Sequence, residues 1–313
     1  MMQKNKNSLK RIRKTSAVQY LKIHIVWLLL VLIQCVIFTS YAATTPIPVA
    51  PAKHPTKSAQ HKSDLNYFLP QDKVTSLLAG PDSYLMIVNK NTHAINKGVM
   101  ILIPEWEQGV IHPKASHFLQ EKFPKNGWTT IAVLPPEKPT NFPSTEFDKI
   151  KQANENNLIM SQYTDKMSLL LQAVIKKAKT FPGNIFILSQ GNNAAIIANI
   201  LASKENSTSD EGNFTINGLI LLSGYLHSDH NSIDKINTAF AQRLALSELP
   251  VLDLTLKHDH RVVKSKSDER KLLAKRERKV FYRHRILNNS AAGIYPEKTL
   301  ISQIERWLVS IGW

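Results

Sequence analysis

The chain has one cysteine, Cys35, among its 313 residues, and this cysteine lies inside an apolar run near the N-terminus. If that segment is removed, the mature protein can form no disulfide, no thiolate nucleophile and no cysteine-ligated metal site. The sequence also lacks phosphate-loop, dinucleotide-glycine, deaminase and zincin motifs. We therefore expect neither a cofactor nor a metal ion, and we exclude thiol catalysis.

Acidic residues are missing from the first 22 positions, which carry seven Lys or Arg residues. The apolar run Ile25–Phe38 follows, and small residues stand at Ser40 and Ala42. This order is typical of a secretory signal and predicts cleavage after Ala42. The run is shorter than the ~20 apolar residues that a spanning helix needs, although an uncleaved anchor is the alternative. We expect an exported protein of a bacterial periplasm or envelope, where a core of this size needs no disulfides.

Residues 43–64 are rich in Pro, Lys and Ser and have no apolar period, which predicts a flexible linker. Residues 65–313 are predicted to form one domain, in which short apolar runs alternate with helical periodicity. The predicted strands are YLMIV, GVMILIP, TTIAVLPP, NIFIL, INGLILLSG and LPVLDLTL. Continuous apolar strands alternating with helices predict a mostly parallel sheet covered by helices on both faces. The first two strands, joined by a short turn, are a candidate antiparallel start.

The stretches YFLPQDKVTSLLAG, KGVMILIPEW, NGWTTIAVLPP, LSQGNNAA and LPVLDL follow one another along the chain. In this order the chain resembles the α/β-hydrolase superfamily. More narrowly, it is similar to a bacterial envelope family classed only as a domain of unknown function. The resemblance implies an α/β-hydrolase-like three-layer sandwich. It also implies a place for a nucleophile, a histidine and an acid.

The nucleophile position falls in IFILSQGNNAA, where a buried strand turns into a helix. An elbow needs a small residue, any residue, the nucleophile, any residue and a second small residue. With the strand ending at Leu188, Ser189 is the first small residue and Gly191 is the apex. Glycine tolerates the strained turn but carries no attacking group. The alternative is a shifted register in which Ser189 is the nucleophile.

The resemblance implies an acid after LPVLDLTL, and Asp259 stands there. It implies a histidine before the last helix, but the sequence RILNNSAAGIYPEK contains none. His284 lies just upstream and His258 is beside Asp259, so either is a candidate base for a displaced site. The nucleophile and the histidine are both missing from their usual places. Because a triad works only as a unit, we predict that the standard triad is absent.

Polar residues that follow the predicted strands form a candidate ligand edge, since parallel strands end together at one edge of the sheet. They are Gln190, Asn192, His227 and His258. The sequences HSDHN and HDH could together hold a divalent ion, but histidines in such loops often point apart. We predict no metal site.

Removing the seven N-terminal cations lowers the net charge from +16 to +9, and residues 257–285 alone carry +8. The segment predicts a basic helix over about 266–282 that is either a solvated face or a contact with an anionic surface. The candidate contacts are Arg270, Lys271, Lys275, Arg276, Arg278 and Lys279. The partner is unknown from the sequence; for a contact, the candidates are anionic lipid or another envelope component. Nucleic acid is not expected, because interleaved aromatic residues are missing.

Three functions stay open on these residues. The first, which the sequence favours, is a non-catalytic binding or scaffold protein of the envelope. The second is a carboxylic-ester hydrolase with a displaced site that uses Ser189 as nucleophile, His284 or His258 as base and Asp259 as orienter. The third is an adaptor that docks on anionic membrane through residues 266–285.

Overall fold

The computed structural model describes residues 55–70, 72–112, 115–204, 214–226 and 231–313. The predicted signal segment and most of the predicted linker lie outside these residues. The residues from Pro55 to Trp313 belong to one unit. Its elements are α1 (Lys57–Phe68), β1 (Val74–Ala79), β2 (Asp82–Asn89), β3 (Gly98–Ile103), α2 (Ala115–Lys122), β4 (Trp128–Val133), α3 (Lys149–Ala178), β5 (Asn184–Gln190), α4 (Gly191–Lys204), β6 (Gly218–Leu222), α5 (Asn231–Leu246), β7 (Val251–Leu256), α6 (Arg261–Arg276), β8 (Tyr282–Leu287) and α7 (Glu297–Ser310).

The strands form one sheet in the order β1-β2-β4-β3-β5-β6-β7-β8. The ladders from β4 to β8 are parallel, while β2 is antiparallel to both β1 and β4. The predicted mostly parallel sheet is confirmed. The predicted antiparallel pair was wrong in its partner, because β4 lies between β2 and β3. The hairpin instead joins β2 to β1, which the sequence analysis did not predict as a strand.

Alternate residues of the buried strands supply two separate apolar layers. On β3, Val99, Ile101 and Ile103 face a core that includes residues of α3, α4 and α5. Met100 and Leu102 face a second core built with α1, α2 and α7. The sheet is therefore the middle layer of a three-layer sandwich, and its parallel strands direct their carboxyl ends to one edge.

Two helices begin at capping side chains. α1 was not predicted; it covers part of the predicted linker, and its N-cap Thr56 accepts the N–H of Ala59 at 3.2 Å. α3 begins at Lys149, where Asp148 caps it by accepting the N–H groups of Ile150 and Lys151. In both cases a capping side chain begins a helix whose first turns lack an apolar stripe.

The basic segment is also divided differently from the prediction. Helix α6 ends at Arg276, and β8, which was not predicted, begins at Tyr282 as the edge strand. Arg278 separates them with a φ of +53°. Across the described ranges, no helix is both long enough and apolar enough to cross a membrane.

Candidate functional site

The turn between β5 and α4 has the shape of a nucleophile elbow. β5 ends at Gln190 and α4 begins at Gly191, whose φ of +58° lies in the left-handed region. Elbows accept such strain because it lifts the apex residue clear of the sheet. The strand runs two residues past its predicted end at Leu188, and Gly191 stands at the apex.

Glu105 takes the space that a side chain at Gly191 would fill. It follows β3 through Pro104, and a Cβ built on Gly191 would lie 1.4 Å from Glu105 Oε2 and 2.6 Å from its Cδ. Non-bonded heavy atoms cannot approach so closely, so a side chain at the apex and this carboxylate exclude each other. A carboxylate from a neighbouring loop therefore occupies the nucleophile's volume. No sequence motif identifies this residue.

Three N–H groups converge on the Glu105 carboxylate. The backbone N–H of Asn192 donates to Oε2 at 2.6 Å, and that of Trp106 donates to Oε1 at 2.9 Å. The Asn192 side-chain amide also donates to Oε1, at 3.0 Å. In elbow hydrolases, the oxyanion hole consists of the N–H after the nucleophile and an N–H from the loop after β3. Here the corresponding groups bind the protein's own carboxylate.

The loop that carries Glu105 is fixed to α4 by a buried polar network. Asn193 donates to the Pro104 carbonyl at 2.8 Å and accepts the Tyr163 hydroxyl at 2.8 Å. The Trp106 ring packs edge-on against Tyr163, with centroids 5.7 Å apart. A buried polar network whose hydrogen bonds are satisfied keeps its members in one conformation. The residues before and after Glu105 are both fixed, so the carboxylate is held in place.

Burial raises the pKa of Glu105 to about 7, although the hydrogen bonds from Asn192 and Trp106 act in the opposite direction. Loss of hydration disfavours the charged carboxylate more than these donors stabilise it. Glu105 consequently changes its protonation state near neutral pH.

This titration predicts a loss of stability as the pH rises. An unfolded Glu has a pKa near 4.5, so between pH 4.5 and about 7 the folded state binds more protons than the unfolded state. The contribution of Glu105 to the free energy of unfolding is fully present below pH 4.5, and it is lost as the pH rises through about 7. Relative to Glu105→Gln, the wild type should lose stability over this window, with a limiting slope of about 1.4 kcal/mol per pH unit that residual exposure reduces. Urea unfolding from pH 5 to 8 measures it, and parallel pH profiles would contradict it.

Asp259, at the acid position after β7, ends a chain of hydrogen bonds between hydroxyl groups. Asp259 accepts the Ser223 hydroxyl through Oδ2 and the backbone N–H of His260 through Oδ1, at 3.2 Å. Ser223 follows β6 with a φ of +51°, and its hydroxyl accepts the Tyr295 hydroxyl at 2.8 Å. Asp259 is therefore occupied by a serine rather than by a histidine.

Tyr295 lies in the loop before α7, where the resemblance implies a histidine. Its side chain is buried, and burial together with the negative charges of Asp259 and Glu105 raises its pKa, against the effect of the Ser223 bond. The hydroxyl therefore stays protonated at neutral pH and donates, so it cannot serve as a general base there. The missing histidine is evident from the sequence, whereas the role of this tyrosine is not.

Ser189 and His284 lie on strands that are far apart in the sheet. Ser189 is fully buried inside β5, and its hydroxyl has no hydrogen-bond partner among the described residues. His284 sits on β8, level with Asp253 of β7, and its Nε2 is 2.8 Å from Ser267 Oγ. Three strand spacings separate β5 from β8, about 14 Å. The structure does not bring the two side chains together, and burial lowers the pKa of His284.

The remaining candidate ligand residues that the structure describes differ in their burial. Gln190 and Asn192 are buried, and Asn192 is committed to Glu105. His258 is exposed, and its backbone N–H donates to Asn289 at 2.9 Å. His227 lies outside the described residues. In the part of the chain that is described, no three His, Cys, Asp or Glu side chains cluster as a metal site would require.

Arg270 is an internal residue, which contradicts its prediction as an anionic contact. Its guanidinium donates to both carboxylate oxygens of Asp253, at 2.7 and 3.0 Å, and to the Gly224 carbonyl at 2.8 Å. Arg270 is 1% exposed and Asp253 is fully buried. Lys279 is also committed, because its Nζ binds Ser247. The exposed members of the predicted set are Lys271, Lys275, Arg276 and Arg278.

A pocket of about 340 Å³ opens beside the elbow loop, between α1 and the segment after β4. Trp106 links it to the site, since Trp106 lines the pocket and its backbone holds Glu105. Apolar and charged side chains share its wall, among them Lys57, His61, Leu134, Lys138 and Phe142. This is a concave surface in the size range of small-molecule sites.

Comparison with known sequences gives one family. The profile of the family described as "Protein of unknown function (DUF3530)" matches residues 26–310. A search of curated proteins finds no match.

Comparison with solved structures gives α/β hydrolases. Esterase 2 of Thermogutta terrifontis, in a form phosphoramylated by tabun, has a TM-score of 0.52 and 12% identity, with 79% of this chain and 98% of that chain covered. A candidate dienelactone hydrolase of Klebsiella pneumoniae has a TM-score of 0.51 and 14% identity, with 76% and 96% covered. At these identities the likeness is one of fold.

Proposed function

Because the chain belongs to the DUF3530 family and has an α/β-hydrolase-like fold, we propose that it is a non-catalytic binding or scaffold protein of the bacterial cell envelope. The observation that carries the proposal is the position of Glu105. Acyl transfer needs a nucleophile at the elbow apex and two donors for the oxyanion. Glu105 fills the first place and binds the donors of the second.

The two other triad positions support the same function. Tyr295 stands in the loop of the histidine, and Asp259 binds Ser223. All three groups are held by hydrogen bonds inside the fold, so this region acts as a structural junction between β3, α4 and the loops after β6 and β7. Binding is assigned to the pocket beside Trp106, whose walls offer both apolar contact and charge.

A fluorophosphonate probe tests the absence of an activated serine. We expect no serine of the purified, folded chain to be labelled, because no hydroxyl stands at the apex of the elbow. Mass spectrometry of the labelled protein is the measurement. An active serine esterase treated in parallel shows that the probe reacts. A heat-denatured sample shows any labelling that does not depend on the fold.

The displaced ester hydrolase is the alternative, and the same experiment separates it. Its nucleophile would be Ser189, whose burial inside β5 leaves no approach for a substrate carbonyl in this conformation. Labelling of Ser189, together with turnover of short aryl esters that vanishes in Ser189→Ala, would overturn the non-catalytic function.

Export is part of the proposal and rests on the N-terminal sequence pattern. Expression of the full chain in a Gram-negative host should place the protein in the envelope fraction, with Ala43 as its first residue. N-terminal sequencing measures this. Recovery with Met1 in the membrane would instead support the uncleaved anchor, and recovery in the cytosol would contradict export.

A further inference from the structure

Two loops meet at the amino edge of the sheet, next to its last strand. The loop after α5 contains Ser247, and the loop after α6 contains Lys279, whose Nζ donates to Ser247 Oγ at 3.0 Å. The backbone N–H of Val251, where β7 begins, donates to the Phe281 carbonyl at 2.8 Å. These bonds place the two loops side by side, at the edge opposite the elbow.

The ends of these loops expose large apolar side chains. Val280 is 82% exposed, Leu246 is 69% exposed and Phe281 is half exposed. Since Leu246 precedes Ser247 and Val280 follows Lys279, the hydrogen bond between the loops brings these side chains into one area. Exposed apolar groups gathered in this way mark an interaction surface rather than random exposure.

Cations lie beside the same area, and so does the exposed Glu248 in the loop after α5. Lys275 and Arg276 end α6, and Arg278 follows in the connecting loop, all three exposed. Glu277 is the acid within this stretch, and it pairs with Arg276 at 2.8 Å. We call Leu246, Lys275, Arg276, Arg278, Val280 and Phe281 the basic tip.

We propose that the basic tip docks on the surface of a bilayer containing anionic phospholipid. The cations match the negative headgroups, while the three apolar side chains match the boundary between headgroups and acyl chains. An acidic protein partner would instead leave the basic tip without affinity for lipid vesicles. The inference rests on the proposed binding or scaffold role and adds to it a membrane contact that is separate from the pocket beside Trp106. It narrows the predicted contact from residues 266–285 to one end of α6, without Arg270, Lys271 and Lys279.

A fluorescent probe at Val280 tests the docking in the full chain. In a Cys35→Ser background, Val280→Cys is labelled with an environment-sensitive dye and mixed with phosphatidylcholine vesicles, with or without phosphatidylglycerol. We expect a blue shift and a gain in intensity only with phosphatidylglycerol, reduced by salt. Because the readout is local, any binding of residues 25–38 to the vesicle does not produce it.

Two controls decide the outcome. The dye at Leu78→Cys, exposed on β1 at the other end of the sheet, should not shift. Replacing Lys275, Arg276 and Arg278 with Gln should require roughly 100-fold more anionic lipid, because each cation near such a surface contributes about fivefold. Replacing the exposed Lys149, Lys151 and Lys166 with Gln is the matched control and should have little effect.

The proposal is overturned if the dye at Val280 does not respond at low salt, responds equally to neutral vesicles, or responds in the Gln variant as in the wild type. An equal response of the dye at Leu78 would also overturn it, because the adsorption would then be nonspecific. None of these results alters fluorophosphonate labelling, so the failure of this surface is distinguishable from the failure of the non-catalytic function.

Discussion

Gly191→Ala is expected to destabilise the protein by at least about 3 kcal/mol, more than the usual cost of placing alanine at a left-handed glycine. The left-handed conformation itself costs roughly 1–2 kcal/mol for a residue with a Cβ. The rest comes from Glu105, whose Oε2 would lie 1.4 Å from the new Cβ and must move. Its departure leaves the N–H groups of Asn192 and Trp106 without their acceptor, at about 1–3 kcal/mol for each buried group.

Gly312→Ala is the matched control for this prediction. Gly312 also has a positive φ, +97°, but a Cβ there would meet nothing within 4 Å. Its substitution therefore reports the backbone cost alone. Urea unfolding measures the loss of stability in each variant. We attribute the excess loss in Gly191→Ala to the clash with Glu105.

A double-mutant cycle identifies the partner of the clash. Adding Glu105→Ala to Gly191→Ala removes the steric conflict, so the double variant should be more stable than the sum of the two single effects allows. Equal losses for Gly191→Ala and Gly312→Ala, or strictly additive effects in the cycle, would show that Glu105 does not occupy the apex in solution.

Arg270→Met is expected to destabilise the protein by about 3–5 kcal/mol, because it leaves the buried carboxylate of Asp253 without its cation. The carboxylate would keep the Tyr282 hydroxyl, at 2.7 Å, as a hydrogen-bond donor. The Gly224 carbonyl would lose the Arg270 N–H, and the Phe240 ring would lose the guanidinium that lies 5.2 Å from its centroid. Chemical unfolding at neutral pH is the measurement.

Arg276→Met is the control for the loss of an arginine. Arg276 is exposed and pairs with Glu277, so its replacement should change stability by less than about 1 kcal/mol. The double variant Arg270→Met with Asp253→Leu should recover most of the loss, because a buried ion pair can be replaced by apolar residues of similar volume. If Arg270→Met costs no more than Arg276→Met, Arg270 is a surface residue as the sequence analysis predicted.

The regular part of the fold was predictable from local pattern. Continuous apolar runs located six of the eight strands, and their alternation with helices gave the parallel sheet. β1 was missed because its residues are largely exposed, so Val74–Ala79 carries no buried apolar run. β8 was missed because it is an edge strand with Arg283, His284 and Arg285 at its centre.

The candidate site was predictable only where it is local. Gly191 could be located because an elbow is a short motif between a strand and a helix. Glu105 could not be located in this way. Nothing in the sequence PEW indicates that its carboxylate reaches the turn after β5, the strand beside β3 in the sheet. Tyr295 was likewise identifiable only as the absence of a histidine, since its partner Ser223 comes from another loop.

The charged residues, too, were only partly predictable from the sequence. The sequence by itself determined that residues 257–285 are strongly basic, that the apex of the elbow carries no side chain, and that apolar strands alternate with helices. Only the tertiary structure decided that Arg270 turns inward to Asp253, that Ser189 is buried, and that Glu105 fills the place of the nucleophile. The reason is physical: composition and periodicity act over one or two turns of chain, whereas the partner of a buried charge is chosen by which strands the sheet places side by side.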